Sequence, residues 1–339
     1  MATLGVCAAG VIVALVVVAV APVPYVALIP GPTLNTLGKS GDRPMIEITG
    51  HRTYPTDGHL NMVTVSFIGG PGSSFNIFAA LRAWLSPHEA VVPEQEIFTP
   101  GRTEQQVTKQ DTEEMVNSQQ TAAAAALCLL KIKFKTVDTI VATEPGMPAR
   151  RVLRPGDRIS AVDGRPVTCT ADAGLLIKAR RPGTPVHLTI IRKGKKDSFR
   201  LVSTQAQGQA VIGVHVQESF VFPFSVKINV TNIGGPSAGL MFALGIIDKL
   251  TPMNLTAGRF IAGTGEIEAN GTVDPIGGIQ QKMAGARAAG ATIFLTPAAN
   301  CPDTAGAVPA GLRLIKVSSL RGAVADLQAL KAGGHVPSC

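Results

Sequence analysis

The chain has 339 residues, with 31 Lys plus Arg against 23 Asp plus Glu, a formal charge of +8. At roughly 150 residues per domain this is room for two domains and a tail. Charged residues are only 16% and apolar ones 45%, which excludes a disordered polyelectrolyte. Five cysteines are too few for a disulfide scaffold, and none stands in a CxxC or Cys/His ligand spacing, so no metal site is expected.

No charged residue precedes Lys39, and Ala2 to Ile29 is almost unbroken apolar sequence, long enough to span a bilayer core of ~30 Å. There is no basic segment ahead of it and no short apolar run closed by a small-residue cleavage site. The reading is therefore an uncleaved transmembrane helix over 1–30, and Cys7 an inert residue within it. Cys301 and Cys339 pair if the bulk of the chain faces an oxidising exterior and are free thiols otherwise. Gly31 to Ser40, GPTLNTLGKS, ends as a phosphate loop would, but Thr33 stands where such a loop needs glycine, so nucleotide binding is set aside.

Next come two strand-like runs, Ile46 to Ile48 and Asn61 to Ser66, expected to pair across the turn-rich YPTDGH. GGPGSS breaks the pattern at Gly69. Ile77, Leu81, Trp84 and Leu85 then recur at helical spacing, Pro93 to Gln110 reads as loop plus short helix, and Asp111 to Leu130 as a long Ala-rich helix. KIKFK, Lys131 to Lys135, alternates as a half-buried strand with a solvated basic edge, and a nucleic-acid surface is the weaker reading. No nucleic-acid partner is expected.

From Lys131 to Ser203 the chain reads as a unit of its own. A strand, a Pro/Gly turn, a short helix near Pro148, a strand at Arg158 to Val162 and a turn at Asp163-Gly164 lead to a helix at Ala171 to Arg180. A hairpin turning at Lys193-Gly194 closes the unit, its basic cluster Arg192 to Lys196 read as a solvated tip. Met147-Pro148-Ala149, Leu153 to Ile159 (LRPGDRI) and Val162 to Val167 (VDGRPV) resemble a PDZ domain of the kind attached to bacterial proteases. The resemblance implies binding of extended peptide ends at a sheet edge; no GLGF-like carboxylate loop is present.

After strands at Val211 to Val216 and Phe224 to Val230, GGPSAG places Ser237 at the start of Leu240 to Leu250, a helix apolar nearly all round and so buried. Ser237 there is either a helix cap or a nucleophile beside free backbone N–H groups able to hold an oxyanion. TGEIEANG (Thr264 to Gly271) is a strand and tight turn. DPIGGIQQKMAGARAAG then feeds a helix on which Lys282 shares a face with Ile279, Ala286 and Ala289. A lysine on such a face is desolvated, and desolvation makes the neutral amine available as a base. A serine nucleophile and a lysine base need no histidine.

GPSAG, TGEI, G-x-V-x-P-IGG-I-x-x-K and the TP-x-x-N of Thr296 to Asn300, in that order, resemble the proteolytic domain of Lon proteases. With the apolar leader and the PDZ-like unit, the chain resembles the membrane-anchored, PDZ-containing Lon-like proteases of actinobacteria. The resemblance implies an α+β architecture: an anchor (1–30), an N-terminal α/β region packing with the protease (31–130), a PDZ domain (131–203) and a Lon-like domain (204–339). It implies Ser237 as nucleophile, Lys282 as general base and Thr264 as the residue positioning Lys282. Gly235, Pro236 and Gly239 would shape the turn, with the backbone near Ser237 supplying donors to the oxyanion, while Gly277 and Gly278 deliver Lys282. The acidic residue that ATP-dependent Lon commonly has three before the serine is Gly234 here, and no ATPase signature accompanies it. The implied activity is ATP-independent hydrolysis of unfolded or exposed protein segments, without a cofactor, by an extracytoplasmic, single-pass membrane protein that forms a hexamer. Two rivals remain. GPSAG also fits the G-x-S-x-G elbow of α/β-hydrolases, for which His335 is the one histidine after the serine. A catalytically silent PDZ scaffold is the other.

Overall fold

The structure, a computed structural model, describes residues 17, 19–70, 73, 75–98, 101, 103–231 and 233–339. The N-terminal part supplies β1 (Tyr25–Asn35), β2 (Ile46–Thr49), β3 (His59–Gly69), α1 (Ile77–Trp84), β4 (Ala90–Pro93) and α2 (Glu104–Leu129). Most of the expected membrane segment lies outside the described residues. Its last part is a correction: Tyr25 to Pro30 belong to β1, whose Val26 and Ala27 are buried, so these apolar residues face protein instead of lipid. Among the described residues no helix is long and apolar enough to cross a membrane. Lys39–Ser40 is a two-residue strand paired with Arg43–Pro44, with no helix after it to receive a phosphate.

β2 and β3 do not pair with each other as expected. β2 pairs with a strand near Ser237, and β3, too apolar to leave an edge uncovered along its first half, lies between β1 and a C-terminal strand. The helix read from Asp111 starts seven residues earlier, because Thr103 and Gln106 form a reciprocal capping box, each side chain accepting from the other's backbone N–H.

The central unit contains β5 (Lys135–Thr143), β6 (Arg158–Val162), α3 (Ala173–Lys178), β7 (Pro185–Arg192), β8 (Lys195–Val202) and β9 (Val214–Val221). Its sheet runs β8-β7-β6-β5-β9 over its own core of Ile140, Leu153, Val186, Leu188 and Ile190. Three expectations are corrected here. Residues 131 to 134 are a linker, in which Ile132 and Phe134 pack on the larger core next door. Arg192 is not a solvated tip residue: its guanidinium forks onto both oxygens of Asp157 at 2.7 Å and holds that carboxyl below the usual range. The strand read over Val211 to Val216 breaks at Ile212-Gly213, and β9, assigned from sequence to the C-terminal domain, pairs antiparallel with β5.

The remaining elements are β10 (Ser225–Ile228), α4 (Gly239–Leu250), β11 (Phe260–Gly263), α5 (Ile279–Ala288), β12 (Ile293–Pro297), β13 (Arg313–Val317) and α6 (Leu320–Lys331). The main sheet runs β13-β12-β11-β3-β1-β4, so strands from the two ends of the sequence share one sheet. β11, β12, β13 and β3 are parallel where they pair, whereas β1 and β4 join antiparallel. One large core contains α4, whose Leu240 to Leu244 are fully buried, and the alanines of α2, whose small side chains let the two helices approach closely. Cys128, at the end of α2, is disulfide-bonded to Cys169 ahead of α3, and Cys301 to Cys339. The second pair is one of the two states left open from sequence; the first had no signal in sequence.

Candidate active site

Ser237 sits two residues before α4, on the loop that enters it, and the N-cap of that helix is Ala238, which makes no side-chain cap. The cap reading for Ser237 therefore fails. Thr264 directly follows the central strand β11 and is fully buried. Lys282 is on the first turn of α5, 4% exposed, and its amine is pushed down to about 8 by desolvation. These residues, 45 positions apart at the extremes, meet because α4 and α5 both begin at the same end of the sheet.

The contacts form one relay. Lys282 Nζ donates to Thr264 Oγ1 at 3.2 Å, and Thr264 Oγ1 donates to the carbonyl oxygen of Ser237 at 3.0 Å. That carbonyl also accepts from Gly265 N–H at 2.8 Å, and Gly265 O in turn accepts from Leu240 N–H. The lysine is thus referenced to the serine's own backbone. Among the described residues Ser237 Oγ and Lys282 Nζ are not bonded to each other, although both line a single cavity of about 470 Å³.

Helix α2 holds the serine loop from the other side. Ser118 Oγ donates to Pro236 O at 2.8 Å, and Gly235 N–H donates to Asp111 O at 3.0 Å. This narrows which backbone groups near Ser237 are available to an oxyanion. Gly235 N–H is already spent on Asp111, Gly239 N–H on Pro236 O, and Pro236 has no N–H. Among the described residues the amides of Ser237 and Ala238 remain without an acceptor. Gly235 has φ +82°, and a Cβ at Gly239 would come within 2.7 Å of Ile267. Gly278 caps α5 with φ +68°, where a Cβ would meet Val65 at 2.7 Å, while Gly277 has open space around it.

Asp111 is a site residue that sequence reasoning missed. It lines the same cavity, and burial, with Glu114 adding repulsion, pushes its carboxyl up. Gly234 leaves it room, since a Cβ there would lie 2.4 Å from Asp111 Cβ. No sequence signal links positions 111 and 234. Also in the cavity wall are Thr64 to Phe67 of β3, beyond the point where β11 stops pairing at Met62. That edge of β3 has no strand partner among the described residues. His335 does not line the cavity, so the α/β-hydrolase arrangement is not built.

Residues 204–325 match the family described as Lon protease (S16) C-terminal proteolytic domain. This part of the chain is similar to the proteolytic domain of Lon proteases, which supports serine peptidase activity. Residues 128–202 match the PDZ domain family, so β9 falls in the Lon match while pairing in the PDZ sheet. The Lon protease of Roseiflexus castenholzii is 32% identical over 154 residues, 43% of this chain and 19% of that protein. Lon protease 1 of Bacillus subtilis is 38% identical over 187 residues, 50% of this chain and 24% of that protein. The chain thus spans less than a quarter of the length of either relative. Among solved structures, the PDZ domain of an SdrC-like protein from Listeria monocytogenes is 20% identical, covers 23% of this chain and 85% of that one, and has a TM-score of 0.21.

Proposed function

We propose that the chain is a membrane-anchored endopeptidase of the actinobacterial Lon-like kind that cleaves unfolded or exposed protein segments without ATP, using Ser237 as nucleophile and Lys282 as general base. The observation that carries this is the relay from a desolvated lysine amine through buried Thr264 Oγ1 to the carbonyl of Ser237, with Lys282 and Ser237 lining one cavity. With its pKa near 8, a useful fraction of Lys282 is neutral at physiological pH and has the lone pair a base needs. For the reaction, Ser237 Oγ–H must reach Nζ. The amine takes the proton as Oγ attacks the scissile carbonyl carbon, and the carbonyl π electrons move onto oxygen, where the amides of Ser237 and Ala238 stabilise the charge. Collapse restores the carbonyl and breaks the C–N bond, and Lys282 returns its proton to the leaving amine. Water, deprotonated by the same amine, then hydrolyses the acyl-enzyme. Thr264 positions Lys282.

The free edge of β3 at Thr64 to Phe67 is suited to hold an extended peptide by strand addition, which a folded substrate cannot offer. The PDZ unit recognises peptide termini, and the protease units assemble as hexamers. Two disulfides support an oxidising, extracytoplasmic setting for the bulk of the chain, with residues before about 21 as the tether. Casein cleavage without ATP by the full chain, beside Ser237→Ala, tests the reading. Cleavage lost with Ser237 is expected. Equal cleavage by both removes the nucleophile, and no cleavage by either folded protein returns the silent-scaffold reading.

A further inference from the structure

We infer that α1 is a bilayer-docking helix that lays the protease flat against the lipid surface beside its own tether, an inference that rests on the anchored reading above. On a helical wheel at 100° per residue, Trp84, Ile77, Leu81, Leu85 and Phe78 fall within one sector of about 120°. All five are exposed: Trp84 71%, Leu85 70%, Phe78 62%, Leu81 49% and Ile77 43%. The opposite side, Ala80 and Ala83, is buried with Phe75 and Ala27. The inner face is thus satisfied by small residues, and the outer face carries every large apolar side chain of the helix. A contiguous exposed apolar face of this kind marks an interaction surface.

The chain itself indicates what covers it. An unbroken apolar run extends from Val11 to Val20, and the residues directly after it are strapped to α1. Pro22 forms a β-bridge with Asn76, the residue that caps α1, and Val23 N–H donates to Phe75 O at 2.8 Å. Val17 and Val20 are themselves exposed. A tether that leaves a bilayer at this point has no slack before α1, so the apolar sector is held at the level of the interface. Composition agrees: Trp84 is the single tryptophan of the chain, a residue type that favours the membrane–water boundary. Arg82 stands at the border of the sector, where a guanidinium meets phosphate headgroups while its stem covers acyl chain.

Because Trp84 is the sole tryptophan, its fluorescence reports this face without labelling. The full chain is reconstituted into phosphatidylcholine/phosphatidylglycerol vesicles in which the lipid is unlabelled, brominated near the headgroup end of the acyl chain, or brominated near its terminus. Expected are a shift of emission to shorter wavelength and quenching that is stronger for the shallow bromine. In Phe78→Asp/Leu81→Asp both effects are lost, while the rate on a short peptide and flotation with vesicles are kept. Protein that floats with Trp84 unquenched overturns the docking and leaves the tether standing, and protein that fails to float overturns both. Emission that is shifted but unquenched places a second protein surface on this face and overturns the lipid assignment.

Discussion

Replacing Lys282 by Met separates the base from the fold. The side chain is nearly isosteric, stays on the apolar face of α5, and leaves Thr264 Oγ1 donating to Ser237 O. The amine is ordinarily half-protonated at 10.5 and here at about 8, a difference equivalent to about 3 kcal/mol at 1.36 kcal/mol per pH unit. Since the folded value lies below the unfolded one, the folded chain binds fewer protons between pH 8 and 10.5, and stability rises with pH across that window. The cost of the charged lysine is complete below pH 8 and gone above 10.5. The Met variant is therefore more stable than wild type at pH 7, and its advantage shrinks by about 2 kcal/mol between pH 7 and 9.5. Urea denaturation of both proteins at the two pH values measures this. The same titration governs turnover: about a tenth of Lys282 is neutral at pH 7, so wild-type kcat on a fluorogenic peptide climbs roughly tenfold to a plateau above pH 9. The variant cleaves nothing at any pH. A pH-independent stability difference, or turnover by Lys282→Met, would refute the assignment of a desolvated lysine base.

Thr264→Val deletes the hydroxyl that bridges Lys282 and Ser237 at nearly constant volume. A loss of about 100-fold in kcat with little change in KM is expected, recovered by Thr264→Ser, because misplacement of a catalytic group by ~1 Å costs that much. A change confined to KM would argue that Thr264 shapes substrate binding instead. Cys128→Ser/Cys169→Ser opens a link with a sequence separation of 41 residues, for which loop-closure entropy predicts a loss of about 4 kcal/mol. Denaturation of the variant against oxidised wild type reads this directly, and an unchanged midpoint would mean that the chain does not carry the bond in solution.

Local chemistry was legible without coordinates. Gly at turns, the run of apolar residues in α4 and the order of GPSAG, TGEI and the lysine helix singled out Ser237, Thr264 and Lys282, because each depends on neighbours within a few residues. The PDZ motif likewise lies along adjacent turns and strands. What was not legible depends on which buried surfaces meet. β3 and β2 look like a hairpin by spacing, yet the apolar first half of β3 needs a strand on both edges, and the second comes from β11, some 200 residues away. β9 completes the PDZ sheet across a family boundary for the same reason, and the pairing of Cys128 with Cys169 follows only once α2 and that unit are docked. Asp111 is the clearest case: nothing near it in sequence suggests chemistry, and it joins the site only because Gly234 has no side chain to hold helix α2 away. Sequence therefore singled out Ser237, Thr264 and Lys282 and their local frames, whereas tertiary packing decided which helix clamps the serine loop, which amides stay free and which strand edge faces the cavity. Hydrogen-bond donors and apolar faces are satisfied by whatever approaches them, and approach is a property of the whole fold.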